Sequence, residues 1–148
     1  MDKLRKTILM IEDDPNDVAL FRRALQKTSL DTEVVVLEDG ESAIQWFKER
    51  IGSSAPEKNG WPRLVVLDIK MPRVSGLDVL EWLRRQPVLR RLPVIAFTSS
   101  REKEDIVRAY ELGIDSYLVK PVSFDQLKEM VRVMHQYWME WNEKADMD

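Results

Sequence analysis

Short apolar or β-branched runs alternate with longer segments of helical spacing along the chain. The runs are TILMI (7–11), EVVVL (33–37), LVVLD (64–68), PVIAF (93–97) and SYLV (116–119). Between and after them, apolar positions recur every three or four residues over roughly 15–28, 40–50, 75–86, 102–112 and 123 to about 142, the spacing of one helical face. Punctuation agrees with this division. Pro15 suits a first helical turn, Ser75 and Ser123 are placed to cap helix starts, and Gly113 follows the fourth helix as a C-terminal cap.

The pattern reads βαβαβαβαβα. Strands that are apolar throughout and separated by helices predict a parallel sheet buried on both faces. The expected fold is α/β, a doubly wound five-stranded parallel sheet of flavodoxin-like order 2-1-3-4-5. The irregular connection RIGSSAPEKNGWPR (50–63) reads as a long exposed loop, with Trp61 folding back onto the body. One domain over residues 1–148 is expected, its body spanning about 6–142 with a frayed charged tail.

Composition narrows the function. Charged residues are 33% and hydrophobic residues 44%, which fits a globular chain rather than a disordered one. A net charge of −3 gives no electrostatic footprint for nucleic acid or an anionic membrane. The chain has no cysteine, so thiolate metal sites and cysteine nucleophiles are excluded. The N-terminal apolar run is too short for a signal peptide or a membrane span, and a cytoplasmic protein is expected. The arginines of RRQPVLRR (84–91) read as a solvated face.

Chemistry collects at the strand ends. In an open α/β sheet, ligands bind outside the carboxyl ends of the strands, where the strand order reverses. Strand one ends in Glu12, Asp13 and Asp14, and strand three ends in Asp68. Asp14, just before Pro15, reads as a helix cap. Carboxylates facing one crevice raise each other's pKa unless a cation relieves them, and an oxygen-only set favours Mg²⁺ or a similar hard cation. Thr98 ends strand four and Lys120 ends strand five. A hydroxyl and an ammonium converging on a carboxylate and a metal form a pocket for a phosphoryl group. Either residue taken alone is an ordinary core threonine or solvated lysine.

The stretches LMIEDDP, LVVLDIKMPRVSG, FTSS and YLVKP, with their mutual spacings, resemble the response-regulator receiver domains of two-component signalling over nearly the whole chain. The resemblance implies that Asp68 is the phosphoacceptor. It implies that Asp13 coordinates Mg²⁺ directly, Glu12 mainly through water, and Lys70 through its backbone carbonyl, with the Lys70 side chain over the pocket mouth. Pro72 and Gly76 would shape the following loop, Lys120 would contact the phosphoryl group, and Pro121 would follow a cis peptide bond. The phosphodonor would be a sensor histidine kinase docking on outward residues of the first helix, and small-molecule phosphodonors would also serve. Thr98 and Tyr117 would be the switch pair, moving the face of the fourth helix, fifth strand and fifth helix. No enzymatic output is expected beyond self-catalysed phosphotransfer and autodephosphorylation.

After Lys120 only one helix and a tail follow, so a stand-alone receiver is expected. That helix places Leu127, Val131, Met134 and Trp138 on one stripe, with Trp141 adjoining. Trp138 and Trp141 either form a patch for self-association or an effector, or pack on the domain's own loops. His135 is expected to be a partly exposed helix residue. The long loop and the aromatic helix also resemble the receivers that partner bacterial phytochromes, a group that tends to homodimerise. Two rivals remain: a pseudo-receiver acting only as an interaction module, and a flavin- or nucleotide-binding enzyme. The second lacks any glycine-rich phosphate cradle.

Overall fold

A computed structural model of the protein describes residues 6–29, 31–53 and 60–145. Five strands and five α-helices alternate: β1 (Thr7–Ile11), α1 (Pro15–Gln26), β2 (Glu33–Leu37), α2 (Gly40–Ile51), β3 (Leu64–Leu67), α3 (Gly76–Arg85), β4 (Val94–Thr98), α4 (Lys103–Glu111), β5 (Ser116–Val119) and α5 (Phe124–His135). The strands are all parallel in the order β2-β1-β3-β4-β5, as expected. No helix among the described residues is long and apolar enough to cross a membrane. The connection expected over 50–63 lies partly outside the described residues, and so do residues 146–148 of the tail.

Strand alternation sorts the core into two layers. Leu9, Ile11, Val65 and Leu67 point to the side covered by α2 and α3, where they meet Phe47, Leu80 and Leu83. Ile8, Met10, Leu64 and Val66 point to the side of α1 and α5, against Phe21, Leu25, Leu127, Val131 and Met134. Trp61 does fold back, stacking 6.3 Å from Phe47. Only β1, β3 and β4 are buried throughout; the edge strands β2 and β5 are largely half-buried.

Local chemistry sets the helix ends. Asp14 caps α1 by accepting from the Asn16 amide at 2.8 Å, with Pro15 at the first helical position. Ser75 and Asp78 form a reciprocal capping box on α3, and Ser123 accepts from the Gln126 amide at 3.1 Å on α5. Gly113, at φ 94°, closes α4: its amide bonds the Tyr110 carbonyl, and the Ile114 amide bonds that of Ala109. A left-handed residue with these two bonds is the Schellman arrangement, for which glycine is the least strained choice.

Three expectations are corrected. The last helix is not one α-helix to about 142: it changes at Gln136 to a π-helical segment, Gln136–Trp141. Arg63 reaches the carbonyls of Trp138 (3.4 Å) and Asn142 (2.9 Å), binding groups that a widened last turn leaves open. His135 is buried, not partly exposed, because its Nε2 lies 2.7 Å from Thr32 Oγ1 at the start of β2. Arg84 is not part of a solvated face. Its guanidinium donates to the carbonyls of Gly113, Arg90 and Leu92 and pairs with Asp115 at 3.2 Å, tying α3 to the loops around β4.

Candidate functional site

Sheet register builds the site. Ile11 pairs with Leu67, so the next residues, Glu12 and Asp68, leave the sheet side by side. The Asp68 amide still donates to the Ile11 carbonyl at 3.0 Å, which fixes its backbone. On the other side, Thr98 pairs with Val119, and the Lys120 amide donates to the Thr98 carbonyl at 2.8 Å. Four strand tips therefore present Glu12, Asp68, Thr98 and Lys120 at one rim.

One carboxylate oxygen from each of Glu12, Asp13 and Asp68 lies within 4.8 Å of the others. Asp13 is exposed, whereas Glu12 and Asp68 are buried. Burial, with the Asp68 charge adding to it, pushes the Glu12 carboxyl up to about 8, although Lys120 and the Asp14 amide oppose the shift. Three oxygen donors without thiol or imidazole fit a hard divalent cation, and a buried carboxylate held this far above its ordinary range is a group that such a cation would relieve.

Lys120 sits among the acids. Its Nζ lies 2.6 Å from Glu12 Oε1, 2.7 Å from Asp17 Oδ2 and 3.5 Å from Asp68 Oδ2. Desolvation disfavours its charge, but Asp17, Glu12 and Asp68 together outweigh it and raise its pKa. Asp17 was not foreseen, because an acid in a first helical turn reads as a helix-terminus residue.

The loop after β3 is shaped by close approach. A Cβ on Gly76 would stand 2.0 Å from the Asp68 carbonyl oxygen, so only glycine lets α3 start against the strand end. Arg73, between Pro72 and Gly76, takes a left-handed conformation at φ 64°. The Lys70 amide donates to Asp68 Oδ1 at 3.3 Å, bringing that backbone onto the carboxylate. Its side chain does not stand free over the pocket mouth: Nζ pairs with Asp105 of α4 at 2.9 Å.

The β4–α4 loop is tied to the same pair. Thr98, fully buried, accepts from the Ser100 amide at 3.3 Å, and the Ser100 hydroxyl donates to Asp105 Oδ2 at 2.5 Å. Tyr117 is half-buried on β5, with its hydroxyl directed to this loop. The Lys120–Pro121 peptide is trans; no cis bond occurs among the described residues. Trans is the lower-energy isomer of an X-Pro bond, and with it the Lys120 side chain already reaches the acids.

On the far side of β5 lies a cleft of about 930 Å³, lined by apolar groups including Leu118, Met130, Val133 and Tyr137. The two tryptophans of the last helix differ in burial. Trp138 packs against the second core layer, while Trp141 remains 72% exposed.

The chain matches the family model described as the response regulator receiver domain over residues 8–132. It is 35% identical over 135 residues to the probable methanogenesis regulatory protein FilR2 of Methanothrix harundinacea, covering 91% of this chain and 84% of that one. It is 31% identical to the response regulator Rcp1 of Synechocystis, covering 91% and 90%. The Mn²⁺-bound structure of Rcp1 superposes with a TM-score of 0.81 over 95% of this chain and 99% of that one. The bacteriophytochrome response regulator AtBRR is 39% identical, with a TM-score of 0.68 over 93% and 98%.

Proposed function

Because this chain belongs to the response-regulator receiver family, we propose that it is a phosphorylation switch whose acceptor is Asp68, charged by a sensor histidine kinase. The observation that carries this reading is the convergence of Glu12, Asp13, Asp68 and Lys120 at adjoining strand ends. Retention of every acid together with the lysine favours it over a pseudo-receiver.

Asp68 supplies the nucleophile. Its carboxylate oxygen forms a bond to phosphorus as the bond from phosphorus to the donor's imidazole nitrogen breaks, and that nitrogen keeps the electron pair. Lys120 turns to the phosphoryl oxygens as a point charge, and the Thr98 hydroxyl donates to another. Glu12, Asp13 and Asp68, with the Lys70 carbonyl, would hold Mg²⁺. When bound, the ion neutralises oxygens on both partners and lowers the cost of bringing a dianion among carboxylates. Reset is hydrolysis on the same side chain: water adds to phosphorus, the bond to Asp68 breaks, and inorganic phosphate leaves.

The output face in this reading is α4, β5 and α5, and its occupant is a second copy of the chain. Val122, Val133 and Tyr137, all exposed around the β5–α5 cleft, support an apolar contact there. The similarity to AtBRR supports a bacterial phytochrome as the kinase.

The test is incubation with acetyl phosphate and Mg²⁺, followed by intact mass, with Asp68→Asn in parallel. A phosphoryl adduct on the wild type alone is expected. Adduct on both proteins, or on neither, would sink the assignment of Asp68. Sedimentation of the charged and uncharged protein then reports whether the second copy binds.

A further inference from the structure

Lys120 has three N–H groups to place, and the structure places them unevenly. Its short contacts are to Glu12 at 2.6 Å and Asp17 at 2.7 Å. Asp68, the nucleophile in the reading above, is 3.5 Å away, beyond hydrogen-bond range. The lysine is thus drawn away from the acceptor oxygen, partly by a residue that the phosphotransfer chemistry does not use. Asp17 comes from the first turn of α1, yet that helix end is already capped by Asp14. Its Oδ2 instead receives the Lys120 Nζ, across 103 positions of sequence. Lys120 keeps only 11% of its side chain exposed, and Asp17 keeps 28%.

We propose that Asp17 is a positioning residue that acts through Lys120, balancing its charge in the uncharged receiver and competing with the phosphoryl group for it in the charged one. This proposal rests on the receiver reading. Two consequences follow with opposite signs. Asp17 cancels the lysine's charge beside Glu12, Asp13 and Asp68, so it helps these carboxylates to attract a divalent cation. It also holds the lysine back and adds a negative charge near the incoming phosphoryl dianion, so it disfavours the phosphorylated form. An anchor that merely kept Lys120 in place would help both steps.

The experiment compares wild type, Asp17→Asn and Asp17→Glu in the full chain. Mg²⁺ binding is read by titration calorimetry. The phosphorylated fraction is read by intact mass at saturating Mg²⁺ with acetyl phosphate, where the phosphorus–oxygen bond to acetate breaks and acetate leaves as its anion. Asp17→Asn is expected to weaken Mg²⁺ about three- to tenfold while raising the ratio of phosphorylated to unphosphorylated protein about threefold or more, a size set by one charge removed at short range in a partly screened site. Asp17→Glu is expected to return both values towards wild type. Both quantities falling together, or neither changing, would overturn the proposal. So would an undiminished effect of Asp17→Asn on that ratio in a Lys120→Met background, since part of the effect must run through the lysine. If the wild type takes no phosphoryl group, the receiver reading fails, and the Mg²⁺ titration still decides Asp17: an unchanged dissociation constant rejects it.

Discussion

The Tyr117 hydroxyl donates to the Ser100 carbonyl at 3.0 Å, joining β5 to the loop after β4. Ser100 is also bonded to Thr98 and to Asp105, and Asp105 carries Lys70. Tyr117, Thr98 and Lys70, two residues beyond Asp68, therefore share one chain of contacts. If Thr98 moves towards a phosphoryl oxygen, Ser100 must rearrange, and the partner of Tyr117 goes with it.

Tyr117→Phe removes that bond while keeping the ring. It is expected to lower stability of the uncharged protein by roughly 1 kcal/mol, the net value of one partly buried hydrogen bond. It should cost the phosphorylated protein less if the proposed switch breaks this bond on phosphorylation. Urea unfolding with and without the phosphoryl group checks this, and equal losses in the two forms would argue against Tyr117 as a moving part.

His135 makes stability depend on pH. Burial lowers its pKa, with Glu140, 3.9 Å from Nδ1, opposing the shift. The unfolded chain then binds the proton more readily than the folded one. Stability is full above the ordinary histidine value of about 6.5 and falls as the pH drops towards the folded value, with a slope of at most about 1.4 kcal/mol per pH unit. His135→Gln keeps a polar partner for Thr32 without the charge, so its profile should be flatter below pH of about 6.5. Parallel profiles in chemical denaturation would exclude His135 as the source.

Gly76→Ala is expected to cost at least about 2 kcal/mol, because overpacking that meets backbone cannot be relieved by a rotamer change. The added Cβ would stand 2.8 Å from Ile69 Cα as well as colliding with the Asp68 carbonyl. The shift lands on Asp68, the proposed acceptor, so the rate of adduct formation with acetyl phosphate should fall as well. Unfolding midpoints and the mass assay check the two effects. A variant as stable as wild type would mean that α3 can start further from β3 than it does.

The sequence by itself determined the alternation of five strands and five helices, the parallel order, and the strand ends at which chemistry would collect. Each was legible for a local reason. Leu64–Leu67 are apolar on both faces because the strand is central, and Asp68 follows because the next residue leaves the sheet. Asp14 beside Pro15, the Ser75 box and Gly113 are signals that a reader meets within four residues of the helix they begin or end. Glu12, Asp13, Thr98 and Lys120 could be named as candidates from their positions after the apolar runs.

Only the tertiary structure decided which of those groups touch, since a contact between distant elements leaves no periodicity along the chain. Asp17 reads as an ordinary first-turn acid until α1 packs against α5 and the fold brings it 2.7 Å from Lys120. His135 reads as one more polar helix position until Thr32 closes on it, and Arg84 as one of four surface arginines until three carbonyls converge on it. The change from α to π at Gln136 is of the same kind, because Trp138 is held by the core and Arg63 binds the turn's carbonyls. Local propensity chose the elements; packing between separate elements chose the partners of each charge, and those partners set what the site can do.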